Sequence, residues 1–244
     1  MEKEIKIPVS GRKCIYGILR GSLKNPLIIF VHGLTGHMNE HLFYNASRYF
    51  ERKEFSCFRF NLYGFEKDAR KMAECDLSVH GRDLDSVIEY FKKKKVKRIF
   101  VVGHSYGGPA VLFSEKKDYD GIVLWEPSYG LKGCFGRERY VTQLDAYLND
   151  EDWPYGVIFS KKFLADRNVS NERIRKLIHD IRVPVEIICA GKGILIKGGR
   201  KYYAAANKPK KFTIIKKASH CFDEDGTEEK LFKETHFWLK KYKW

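Results

Sequence analysis

No run in the 244-residue sequence approaches the roughly 18 apolar residues needed to span a bilayer, so integral membrane association is not expected. The opening stretch "MEKEIKIPVSGRKCIYG" holds no apolar segment of the kind that forms a secretory leader, which makes a cytoplasmic location the expectation. Six cysteines stand at positions 14, 57, 75, 134, 189 and 221, without a CxxC pair or a short Cys/His cluster. That scatter argues against a metal framework and for reduced thiols packed in a core, and nothing in the pattern calls for a cofactor. There is no internal repeat, no low-complexity linker and no motif for binding RNA or DNA.

What is abundant is positive charge, +15 in all, but it is spread along the chain. The densest run, "KKKKVKR" from Lys92 to Arg98, falls where a helix should end before an apolar strand, and cations there complement the helix dipole. A solvated helix terminus accounts for it better than a nucleic-acid or localisation patch, so no nucleic-acid partner is expected. With 43% hydrophobic residues, the chain can bury one sizeable core, as single α/β domains of about 200 to 250 residues do.

Short apolar, β-branched runs recur at "PLIIFVHG", "FSCFRFNL", "RIFVVGHS", "DGIVLWEP", "VPVEIICAG" and "KKFTIIKKA". Each reads as a buried strand, and helical patterns lie between them. The clearest is "DLSVHGRDLDSVIEYFKKKK", where Leu84, Val87, Ile88 and Phe91 share one face. Strands alternating with helices predict a mostly parallel sheet covered on both sides. Two stricter alternations around Gly11, "EIKIPVS" and "KCIYGILRG", predict an antiparallel hairpin at one sheet edge. One interval, Tyr129 to Arg182, is far longer than an ordinary connection. It carries helix-like stretches, "RYVTQLDAYL" and "SNERIRKLIHDI", and exposed-looking aromatics Trp153, Tyr155, Phe159 and Phe163. An inserted helical cap over 129–182, on a core of 1–128 and 183–244, is the expected organisation; a second packed layer without a binding role is the alternative.

The sharpest chemical signal is "VVGHSYGGPA". Gly103, Ser105 and Gly107 form GxSxG directly after an apolar strand and before a helical run, the setting that lifts a serine hydroxyl to the apex of a tight turn. A phosphate-binding glycine turn is the competing reading, and the matching strand, helix and following Gly108 favour the nucleophile. A serine needs a base, and of eight histidines His220, in the loop "KKASHCFDEDG" after the last strand, is carried to the same sheet edge. His32, His37, His41, His80 and His104 have local structural readings, and His179 and His236 fall in helical patterns. Donors for a developing oxyanion are expected from the backbone N–H of Tyr106 and from Leu34 in the turn "VHGLTG".

Together "HGLTG", "GHSYGG" and "ASHCF" resemble, in order and spacing, an α/β-hydrolase-fold serine hydrolase over nearly the whole chain. The layout is similar to small carboxylesterases of the feruloyl-esterase and monoacylglycerol-lipase type. The resemblance implies a mostly parallel central sheet with helices on both faces, a helical cap, ester hydrolysis through an acyl-enzyme, a small-molecule ester as partner and no cofactor or metal. It leaves a homodimer open. The segment "NLYGFEKDARK" keeps only Asn61 and Gly64 of a glycine-rich turn that such proteins often have.

The resemblance also implies an aspartate in a Gly-x-x-Asp turn after "VEIICA", where this sequence has Ala190, Gly191, Lys192 and Gly193. Glycine cannot accept an imidazole proton, and "GKGILIKGGRK" is not a P-loop either. Asp223, Glu224 and Asp225 lie too close to His220 in sequence, and Asp118, Asp120 and Asp180 lie at the wrong strand end. Glu126 ends the run "GIVLW" at the catalytic edge, so it is the expected relocated acid, orienting His220. Pairing of Glu126 with a basic residue or a backbone amide is the other reading. A degraded hydrolase fold that binds a ligand or partner without turnover is the alternative function. A peptidase has less support.

Overall fold

The computed structural model describes residues 2–130, 138–150 and 156–243, with the Arg167 side chain excepted. Eight strands form one sheet: β1 (Glu2–Val9), β2 (Lys13–Arg20), β3 (Leu27–Val31), β4 (Ser56–Phe60), β5 (Ile99–His104), β6 (Gly121–Trp125), β10 (Val185–Ala190) and β11 (Lys210–Ile215). Their spatial order is β1-β2-β4-β3-β5-β6-β10-β11. The expected hairpin pairs β1 with β2 from Glu2↔Arg20 to Val9↔Lys13, and β2 joins β4 antiparallel. All pairings from β4 to β11 are parallel.

Residues of β3, β5, β6 and β10 are buried throughout, because both sheet faces are covered. The period of two sorts them. Leu27, Ile29, Val31, Ile99 and Val101 pack on one side with α2 (Leu77–Lys93), α3 (Gly107–Leu112), α5 (Asn171–His179) and α6 (Ile196–Ala205). Ile28, Phe30, Phe100, Val102 and Trp125 pack on the other with α1 (His41–Glu51) and α7 (Thr227–Lys240). Each large side chain withdrawn from water in this way contributes about 1.5 to 3 kcal/mol. Trp125, buried at the centre, donates its indole N–H to Thr235 Oγ1 at 2.9 Å, tying β6 to α7.

Helix boundaries follow local chemistry. Asp76 caps α2 by accepting from Val79 N–H at 2.6 Å, and Ser170 caps α5 from Arg173 N–H at 3.1 Å. Such a cap contributes about 1 kcal/mol. At the other end of α2 the basic run begins as a helix terminus, with Lys92 paired to Asp118 and Lys93 to Glu89.

The long interval departs from a helical cap. Residues of "RYVTQLDAYL" form β7 (Arg139–Val141) and β8 (Ala146–Asn149), which pair antiparallel, and β9 (Val157–Phe159) completes a second sheet. Tyr140, Val141 and Tyr147 favour extended backbone, and Asp145, left-handed at φ 45°, makes the reversal between the strands. Among the described residues of the interval, α-helix is formed by α4 (Lys161–Ala165) and α5. Phe159 and Phe163 are fully buried rather than exposed, stacked on each other with ring centroids 4.9 Å apart. Trp153 and Tyr155 lie outside the described residues.

Candidate active site

Ser105 stands where β5 turns into α3, at φ 53°, a left-handed conformation that a serine adopts only when its surroundings enforce it. Its N–H donates to Trp125 O at 3.0 Å, and its carbonyl accepts from Gly108 N–H at 3.0 Å and Ser128 N–H at 3.1 Å. The flanking glycines supply room for this bend. A methyl on Gly107 would lie 2.2 Å from Val31 O, and one on Gly103 would lie 2.6 Å from Gly107 O. The strand-to-helix turn is therefore locked against the end of β3.

His220 reaches the serine from the loop after β11. Its Nε2 lies 2.9 Å from Ser105 Oγ, close enough to take the hydroxyl proton. Burial pushes the His220 pKa down, and the negative charge of Asp223 opposes that fall. Burial therefore favours the neutral ring, the form that can accept a proton. Two further histidines hold the surroundings. His104, buried beside the serine, donates Nε2–H to His220 O at 2.9 Å, which fixes the backbone of His220. Its burial lowers its pKa to about 3, so it stays neutral. His41 Nε2 lies 3.0 Å from Asp223 Oδ1, linking the start of α1 to the loop that carries His220.

His32 orders the turn after β3. Leu62 N–H donates to its Nε2 at 2.9 Å, so the proton sits on Nδ1, which donates to Gly33 O at 2.8 Å. Because Gly33 C=O and Leu34 N–H belong to one trans peptide plane, this bond also aims the Leu34 N–H away from His32. Burial lowers the His32 pKa to about 4, which keeps the neutral tautomer in place. A methyl on Gly33 would meet Ser105 Cβ at 3.2 Å, so this turn borders the serine. Tyr106, the residue after the serine, has a buried side chain whose ring lies 5.4 Å from Phe163, joining the elbow to α4.

Glu126 does not orient His220 by direct contact. Among the described residues no carboxylate lies within 4.0 Å of a His220 ring nitrogen. Glu126 is fully buried at φ 41°, and its carboxylate is taken by backbone: Oε2 accepts from Ala190 N–H at 2.6 Å and Oε1 from Leu195 N–H at 3.3 Å. The alternative reading, a backbone-bound carboxylate, is the one present. Burial raises its pKa, and the two amides and the Cys189 thiol counter that rise. His104 and His32, whose sequence readings are local, both border the site. Their signals were position alone: one beside Ser105, the other opening the glycine turn. Among the described residues there is no group of three or more His, Cys, Asp or Glu side chains arranged to hold a metal, and no helix long and apolar enough to cross a membrane.

The sequence family described as alpha/beta hydrolase fold matches residues 26–113, a span that includes Ser105 but not His220. No curated protein matches the chain in sequence. Solved structures match it nearly end to end. The esterase domain of a Rhodothermus marinus protein superposes with a TM-score of 0.78 at 15% identity, covering 99% of both chains. Est1E from Butyrivibrio proteoclasticus, solved with ferulic acid bound, gives 0.79 at 19% identity, covering 98% of both. The monoacylglycerol lipase of Paleococcus ferrophilus gives 0.73 at 19% identity, covering 93% of this chain and 99% of its own. Strand order, serine elbow and these superpositions agree: the chain has the α/β-hydrolase fold.

Proposed function

We propose that the protein is a serine hydrolase that cleaves carboxylic esters of small molecules. The observation that carries this reading is the 2.9 Å approach of His220 Nε2 to Ser105 Oγ, at a serine held in left-handed backbone. His220 accepts the hydroxyl proton as Oγ attacks the ester carbonyl, then returns it to the leaving alcohol; water, activated by the same ring, releases the acid from the acyl-enzyme. The Leu34 and Tyr106 amides hold the oxyanion as it forms. No step calls for a metal or cofactor. The esterases and the lipase of similar fold support an ester substrate, and the segment between β6 and β10, as a cap over the sheet edge, would shape the acyl pocket. Glu126 enters as the buried carboxylate nearest in role to the acid, without touching the histidine ring.

A panel of p-nitrophenyl esters from acetate to decanoate tests the proposal. Turnover by the parent protein that Ser105→Ala abolishes is the expected result, and chain-length preference then reports the acyl pocket. That no carboxylate among the described residues lies on the His220 ring favours one second reading, a hydrolase fold that binds a ligand or partner without turnover. Equal, background-level rates for parent and Ser105→Ala would select it.

A further inference from the structure

Gly193 and Glu126 are 67 positions apart in the chain and meet in space. A methyl built on Gly193 would lie 2.0 Å from Glu126 Oε1 and 2.8 Å from its carboxyl carbon, closer than any real Cβ contact. Gly193 is absent from the glycines at positive φ, so its backbone does not ask for glycine. The space does. The carboxylate of Glu126 occupies the volume that any side chain at 193 would need.

We propose that Glu126 and Gly193 exchange volume, the carboxylate filling the space that glycine leaves open, and that Glu126 is a positioning residue for His220 acting through the backbone. The path is continuous. Glu126 binds the amides at both ends of the turn that follows β10, Ala190 at 2.6 Å and Leu195 at 3.3 Å. Inside that turn, Gly193 N–H donates to Ala190 O at 3.0 Å, and Lys192 N–H donates to Ala218 O at 2.8 Å. Ala218 lies two residues before His220. Gly191 N–H adds a second tie, to Ile215 O at 2.9 Å at the end of β11. The loop bearing the base thus hangs on a turn whose shape a buried carboxylate holds at both ends. A glycine at 193 lets that carboxylate in; any side chain at 193 would have to displace the Glu126 carboxylate from its two amides. This inference rests on the serine-hydrolase reading for its kinetic part, whereas the exchange of volume does not depend on it.

Two sets of measurements test it. In the first, thermal midpoints are compared for the parent, Gly193→Ala, Glu126→Ala and the double variant. Gly193→Ala is expected to lose about 5 °C, the scale of overpacking in a domain of this size, and to lose little when Glu126 is already alanine. Additive losses would overturn the exchange. In the second, kinetics on p-nitrophenyl acetate should show kcat of Glu126→Ala lowered on the order of 100-fold at unchanged KM, the signature of a displaced base rather than lost substrate contact. Installing Asp at 193 in that background, Glu126→Ala/Gly193→Asp, should recover at least about tenfold and move the His220 titration, followed by NMR of the ring, to higher pH.

Parent kcat in Glu126→Ala would overturn the positioning role, as would an exchange variant with neither recovery nor a moved titration. Should Glu126→Ala not fold, Glu126→Gln, which keeps one acceptor for the turn, should show the same kcat loss in weaker form. The NMR titration is read without turnover. A parent whose hydrolysis does not depend on Ser105 therefore condemns the enzyme reading alone, and the stability cycle still decides the exchange.

Discussion

Two turns at the same edge of the sheet use glycine in opposite ways. At the elbow between β5 and α3, Gly103 and Gly107 make room for backbone: a methyl on Gly107 would strike the carbonyls of Val31 and His32 at 2.2 and 2.7 Å. In the turn after β10, Gly193 makes room for a side chain that arrives from β6. The first requirement is local for Gly103, whose methyl would meet Gly107 O at 2.6 Å, and comes from the end of β3 for Gly107, yet both glycines show in the sequence as one motif. The second is set by a neighbour 67 residues away, and the sequence shows only its negative image, a missing carboxylate.

Substitutions separate the two turns most clearly when arranged by size of effect. Ser105→Ala should cost about 10⁴-fold or more in kcat, read on a p-nitrophenyl ester, with little change in thermal midpoint. Gly107→Ala should cost about 3 kcal/mol, about 10 °C in thermal midpoint, because backbone carbonyls cannot step aside as the end of a side chain can. A Gly107→Ala protein as stable as the parent would mean that the elbow is not locked against β3. His104→Phe removes the donor to His220 O, and one such bond corresponds to about a fivefold loss in kcat with KM unmoved. The smallest effect concerns pH. Burial holds the His220 pKa below its ordinary value of 6.5, so the acid limb of kcat/KM should have its midpoint below 6.5, activity being lost as the ring protonates. Asp223 raises that pKa, so Asp223→Asn should move the limb further toward acid. A limb that moved toward alkali would contradict the electrostatic account of the loop.

Much of the molecule was legible from sequence because its signals are periodic or local. The buried runs became the strands of the parallel sheet, and "VVGHSYGG" and "ASHCF" marked two residues that the fold brings within 2.9 Å. Strand topology carries both to one edge, which is why spacing along the chain was enough. The interval 139–148 was misread because its apolar residues suit helix or strand when counted in so short a window, and the reversal at Asp145 depends on a left-handed residue that is not glycine. Phe159 and Phe163 looked exposed for want of a visible partner; Phe163 packs on the ring of Tyr106, next to Ser105, and Phe159 stacks on Phe163. Glu126 was placed at the right edge and given the wrong contact. Strand order told where its backbone would be, but the two amides that claim its carboxylate belong to a turn whose path no pattern in the sequence reports.

The proposed function requires that Ser105 be a nucleophile made reactive by His220. A fluorophosphonate probe followed by intact-mass and peptide mass measurement tests this without knowledge of the natural substrate. The prediction is one adduct per chain, located on Ser105, lost in Ser105→Ala and slowed by orders of magnitude in His220→Ala. No adduct on Ser105 in the folded parent protein, or labelling at an undiminished rate in His220→Ala, would contradict it.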